Sequence, residues 1–133
     1  MGTFGLVWLA IALALAVARR RPSIFALVLV ADLAADLLAD LGKALIHRHR
    51  PFVHQIGPAA TTHSFPSGHT ATSFACAFVL ASFAPRWRVP LLVLAVLISF
   101  SRLYNGDHFP LDVLGGAALG ALVAATVLRV SRR

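Results

Sequence analysis

From Met1 to Ala18 the chain carries no charged residue, and then Arg19, Arg20 and Arg21 follow in a row. A bilayer-spanning helix needs about 20 predominantly apolar residues. The same pattern returns four times. Pro22 to about Leu41 is apolar except for Asp32, Asp36 and Asp40. Ser67–Ala84 carries no charge. Val89–Ser101 lies between Arg88 and Arg102, and Leu111–Leu128 is closed by Arg129, Arg132 and Arg133. No segment alternates with the period of two that a membrane barrel requires. In lipid, a segment that satisfies its own backbone is a helix. The expected fold is therefore all-α: an integral membrane bundle of about five transmembrane helices, taken as a single membrane-embedded domain over residues 1–133.

Composition excludes the alternatives. Of 133 residues, 59% are hydrophobic and 13% charged, whereas soluble domains carry about 25% charged residues. A chain this small has no core large enough to hide that much apolar surface from water. The net charge of +7 comes from 12 basic and 5 acidic residues. The basic residues punctuate the apolar runs instead of forming a patch or stripe, so nucleic acid is not an expected partner. Arg19–Arg21, Arg86, Arg88, Arg129, Arg132 and Arg133 fall on one side of the predicted bundle. Lys43, Arg48, Arg50 and Arg102 fall on the other. The positive-inside rule then places the C-terminus in the cytoplasm and the polar stretch Gly42–Pro66 at the outer face of the cell membrane. Ala16-Val17-Ala18 has the form of a signal-cleavage site, but signal peptides put positive charge before the apolar run, and here it follows. Cys76, the one cysteine, sits in an apolar run and reads as a small buried residue.

Two dense polar patches share the outer face. Pro66-Ser67-Gly68-His69 opens the third apolar segment. Ser67 is a good N-cap, Gly68 allows close approach to the backbone, and the amides of a first helical turn favour an anion such as phosphate. An unliganded cap would have the same sequence. His108-Phe-Pro-Leu-Asp112 opens the last segment, with Pro110 suited to its first turn. Residues four apart share a helix face, so Asp112 is placed to hold one nitrogen of His108 and leave the other toward a substrate. A plain His–Asp cap is the structural alternative. Lys43, Arg50 and Arg102 have no carboxylate in their own loops, and three converging cations suit a phosphoryl group. Arg102 is the charge expected to be recessed toward the bilayer, because the segment before it is too short to span. His47 and His49 point in different directions on a helix, so no metal is expected.

Together these pieces resemble the PAP2 (type 2 phosphatidic acid phosphatase) superfamily. Its three-part signature reads here as Lys43-x6-Arg50-Pro51, Pro66-Ser67-Gly68-His69 and Ser101-Arg102-x5-His108-x3-Asp112, in order, with each spacing kept. The motif core spans residues 43–112. The resemblance implies that His108 attacks phosphorus to form a phosphohistidine and Asp112 orients it. His69 would protonate the leaving oxygen, while Lys43, Arg50, Ser67, Gly68 and Arg102 bind the phosphoryl group. It implies no cofactor and no metal. The implied substrate is a lipid phosphate or diphosphate, with undecaprenyl diphosphate first and phosphatidic acid or phosphatidylglycerol phosphate as alternatives. Membrane members commonly have one more helix before the first motif, so the chain reads as the family core without its first helix. A non-catalytic lipid-phosphate binder or ion transporter is the reading from another class. Such a protein needs the cations but has no need of His69, His108 and Asp112.

Asp32, Asp36 and Asp40 repeat every four residues on one face of the second segment. They read as a polar seam facing the bundle, or as a proton or cation path, and Asp40 is spaced to pair with Lys43. His54 and His63 are read as solvated loop residues. Gly116-x3-Gly120 is expected to serve packing within the bundle before self-association.

Overall fold

In the computed structural model of the chain, residues 3–46, 65–104 and 110–132 are described. They form five α-helices: α1 Thr3–Arg19, α2 Pro22–Ile46, α3 Gly68–Phe83, α4 Arg88–Tyr104 and α5 Pro110–Ser131. A short 3-10 turn, Pro85–Trp87, precedes α4. Among the described residues there is no strand.

The helix ends follow local chemistry. α1 stops where Arg20 takes a left-handed φ of 54°. The Arg21 amide reaches back to the Ala16 carbonyl at 2.9 Å, and the Arg20 amide donates to the Val17 carbonyl at 3.2 Å. This is the closing pattern of a Schellman motif, with arginine where glycine is usual. Pro22 then starts α2 at the position where its missing amide costs nothing. α3 begins at Ser67, whose side chain accepts from the Thr70 amide, and stops before Pro85.

The apolar segments predicted the helices, but two extend past the expected bounds. α2 was expected to end near Leu41. It runs on to Ile46 and carries Lys43 in its last turn instead of in a loop. Gly42-Lys43-Ala44-Leu45-Ile46 contains no breaker other than one glycine, and loss of apolar character alone does not stop a helix. α4 likewise continues through Arg102 to Tyr104.

α3 is the central element. Eleven of its sixteen residues are buried, on all faces, as expected of a helix enclosed by others. Most are alanine, serine, threonine or cysteine, which lets neighbours approach closely. The approach is tightest with α5. A Cβ added at Gly116 would stand 2.6 Å from the Ser67 carbonyl oxygen, and one at Gly120 would strike the Ala71 carbonyl. The Gly116-x3-Gly120 pair thus packs inside the bundle, as its spacing predicted. α1 is tied to α3 by a buried hydrogen bond in which Trp8 Nε1 donates to Ser73 Oγ at 3.1 Å.

The outer surface of the bundle is apolar. Leu13, Leu37, Val96, Leu97, Leu114 and Leu122 are all exposed. α5, and α4 together with its preceding turn, are long and apolar enough to cross a membrane. The bundle is an integral membrane fold, with its basic side chains at the two ends. Arg21 lies over the Phe83 ring at one end. The sequence-predicted site residues that are described lie at the other.

Candidate active site

Helix lengths create the site. α3 has 16 residues, and a helix rises 1.5 Å per residue, so it is about 24 Å long against about 37 Å for the 25-residue α2. α5 begins six residues before Gly116, the residue that faces Ser67. The N-terminus of α3 is therefore set back from the ends of α2 and α5, whose side chains reach past it.

Ser67 caps the helix. Its Oγ accepts from the Thr70 amide at 3.4 Å, and its carbonyl accepts from the Ala71 amide at 3.0 Å. Its own amide donates to the carbonyl of Asp112 at 3.0 Å. This backbone bond joins the second motif to the third. Asp112 lies in the first turn of α5 and is fully buried. A negative charge is favoured at a helix N-terminus, and a buried carboxylate requires polar partners.

Lys43 comes from the last turn of α2, where a cation suits the helix C-terminus. Its Nζ lies 3.7 Å from Asp40 Oδ1, the pairing that the spacing predicted, and its side chain is 16% exposed. A methyl group added at Gly68 would stand 3.3 Å from this ammonium and 3.9 Å from Asp36 Oδ1. The glycine thus leaves the lysine room to lie over the tip of α3. Three contributions of one sign or the other meet there: an ammonium, the positive end of a helix dipole and the Asp36 carboxylate.

Arg102, in the last turn of α4, is half-buried, and its guanidinium lies 5.4 Å from the centre of the Phe4 ring. His69 meets the same ring edge-on, at 5.8 Å and 84°. Phe4 was not singled out from the sequence, because an aromatic within an apolar run carries no distinguishing mark. Lys43, Ser67, Gly68, His69, Arg102 and Asp112 therefore gather at one end of the bundle from α2, α3, α4 and α5. His108 and Arg50 lie outside the described residues, as do His47, Arg48, His49, His54 and His63.

Asp32 and Asp36 of the aspartate seam face α3. Asp32 is buried, and the Cys76 thiol donates to its Oδ1 at 3.9 Å. Asp36 lies beside Gly68, and the exposed Asp40 pairs with Lys43. Among the described residues no three His, Cys, Asp or Glu side chains are grouped to hold a metal ion.

The gathered groups suit a phosphoryl group. Cations and helix-terminal amides complement its oxygens, and an imidazole beside them can supply a proton. Comparison with known proteins agrees with this reading. The family model described as the PAP2 superfamily matches residues 6–133. The undecaprenyl-diphosphatase of Sulfolobus acidocaldarius is 32% identical over 124 residues, 89% of this chain and 60% of that protein. The lipid A 1-phosphatase of Rhizobium etli is 37% identical over 95 residues, 65% of this chain and 41% of that protein. The chain spans about half the length of the curated relatives it matches. In three dimensions it is similar to the transmembrane PAP2 type phosphatidylglycerolphosphate phosphatase of Bacillus subtilis. The TM-score is 0.79 at 28% identity, covering 99% of this chain and 71% of that one.

Proposed function

The chain belongs to the PAP2 superfamily, and from that premise we propose that it is a lipid phosphatase, a single membrane-embedded domain that hydrolyses a terminal phosphate of a lipid phosphate or diphosphate. The observation that carries the reading is the meeting of Lys43, the capped N-terminus of α3, His69, Arg102 and Asp112 at one end of the bundle.

Lys43, Arg50 and Arg102 neutralise the phosphoryl oxygens, and Ser67 with the Gly68 amide completes the cradle. A nitrogen of His108 attacks phosphorus while its other nitrogen is held by Asp112. The bond from that phosphorus to the leaving oxygen breaks, an oxygen that belongs to the lipid alcohol of a monophosphate or to the inner phosphate of a diphosphate, and protonated His69 gives its proton to it. Neutral His69 then takes a proton from water. The water oxygen bonds to phosphorus, the phosphorus–nitrogen bond breaks and inorganic phosphate leaves. The protein groups provide both proton and charge, so the scheme requires neither metal nor organic cofactor.

Undecaprenyl diphosphate is the substrate we put first, because the Sulfolobus acidocaldarius relative is named for that activity and aligns over 89% of the chain. Phosphatidic acid and phosphatidylglycerol phosphate are the alternatives. With eight arginines expected at the opposite end of the bundle, the site faces outward from the cell membrane and the C-terminus is cytoplasmic. A C-terminal reporter that is active only in the cytoplasm tests this orientation.

Phosphate release in detergent, with chelator present, tests the chemistry on the three lipids. The expected result is release that survives the chelator and falls by at least about a thousandfold in His108→Ala, the scale of losing a catalytic nucleophile. Lipid retained without release would instead indicate a lipid-phosphate binder.

A further inference from the structure

The Phe4 ring meets two of the proposed site residues, His69 and Arg102, and it comes from a helix that holds none of the three motifs. Its position is fixed from below. Trp8, four residues on and fully buried, donates to Ser73, which is four residues beyond His69. Residues four apart lie one above the other on a helix. α1 and α3 are thus joined by two contacts one turn apart, Trp8 with Ser73 and Phe4 with His69. The hydrogen bond sets the register, and the register places the ring.

The same stripe of α1 continues through Ile11, Leu15 and Ala18. With Leu91 and Leu94 of α4 it lines a groove of about 460 Å³. The groove stops at Ile11 and Leu94, about two turns short of Phe4 and Arg102, which meet at the polar end of the bundle. An arginine at that depth has an apolar wall on one side. The face of an aromatic ring carries negative potential and attracts a guanidinium, which is planar and weakly hydrated and therefore stacks well. The edge-on contact with His69 follows the favoured geometry of aromatic pairs.

We infer that Phe4 is a positioning residue for the phosphoryl site: its ring face holds the Arg102 guanidinium and its contact with His69 sets that imidazole at a fixed spacing from the cation. The inference rests on the phosphatase reading for its catalytic consequence, but the placement of His69 and Arg102 by Phe4 stands apart from it. A cation that binds phosphate and an imidazole that hands over a proton must act on neighbouring oxygens of one group. Holding both against a single rigid ring restricts their relative motion.

The test compares the full chain with Phe4→Leu, Phe4→Trp and pentafluorophenylalanine in place of Phe4, in detergent. The first readout is the His69 ring resonance, assigned with His69→Gln, which senses a neighbouring aromatic ring whether or not the protein turns over. The second is kcat/KM for phosphate release. The inference expects Phe4→Leu to move the His69 resonance and lower kcat/KM by about tenfold, the loss of one desolvated cation–π contact. Pentafluorophenylalanine keeps the shape but reverses the potential of the ring face, so it should lower kcat/KM while melting as the wild type does. Phe4→Trp should restore most of the rate. A His69 resonance unmoved in Phe4→Leu overturns the placement. Equal rates in leucine, tryptophan and pentafluorophenylalanine variants overturn the role of the ring face. A wild-type chain that releases no phosphate overturns the phosphatase reading instead, and the resonance still decides the placement.

Discussion

α5 and α1 flank the same central helix in opposite ways. Against α5, α3 presents backbone. Gly116 and Gly120 bring the two main chains so close that a single added carbon would meet a carbonyl oxygen. Against α1, α3 is held by side chains, through the indole of Trp8 and the ring of Phe4, and beyond α1 a groove of about 460 Å³ opens toward α4. The close-packed side carries Asp112. The side-chain-held flank meets His69 and Arg102. In lipid, apolar burial adds little to helix association, so dispersion contacts and hydrogen bonds must hold the bundle. Backbone-to-backbone packing supplies many contacts at no rotamer cost, whereas a few side-chain contacts leave a helix easier to displace. The carboxylate on α5 is thereby rigidly placed, while the groups that meet substrate oxygens depend on a few adjustable contacts.

The largest effect should come from breaking the close side. Gly120→Leu puts a branched side chain where the Ala71 carbonyl and the Ala75 amide already stand. Overpacking of this kind costs about 3 kcal/mol or more when only backbone can give way. Thermal unfolding in detergent should show a large fall in Tm or no folded protein. Loosening the other side costs less. Trp8→Phe keeps the aromatic bulk and removes the bond to Ser73, which should cost about 1 kcal/mol. Lost register should also appear as reduced kcat/KM, whereas a purely structural loss would lower Tm alone. The smallest effect belongs to a pair on neither interface. Asp40 is 67% exposed, so Asp40→Asn should shift stability by no more than about 0.5 kcal/mol. A larger shift would mean that the ion pair with Lys43 helps hold the end of α2.

Much of this arrangement was legible in the chain. Apolar runs ending on arginine marked the helices, because the length a bilayer demands and the cost of burying charge are both local properties. Ser67 was readable as a cap and Gly116-x3-Gly120 as a close approach for the same reason. Lys43 was placed just past a helix and stands inside its last turn, because a polar residue at a membrane surface is compatible with continued helix. The contacts across the bundle were not legible. Cys76 read as a buried apolar residue, and it is buried, but its thiol points at Asp32, 44 residues away. Phe4 and His69 are 65 residues apart, and nothing in either segment marks the other as its neighbour. The His69 and Arg102 motifs could be read from spacing, while the ring between them required the fold.

The bond from the Ser67 amide to the Asp112 carbonyl separates two duties that a single residue would otherwise have to reconcile. The serine hydroxyl caps the helix and is proposed to meet substrate. The spacing between the two helices is kept by atoms that every amino acid except proline possesses. Natural variation or laboratory selection can therefore retune the side chain at position 67 toward a different headgroup without loosening the joint on which that position sits.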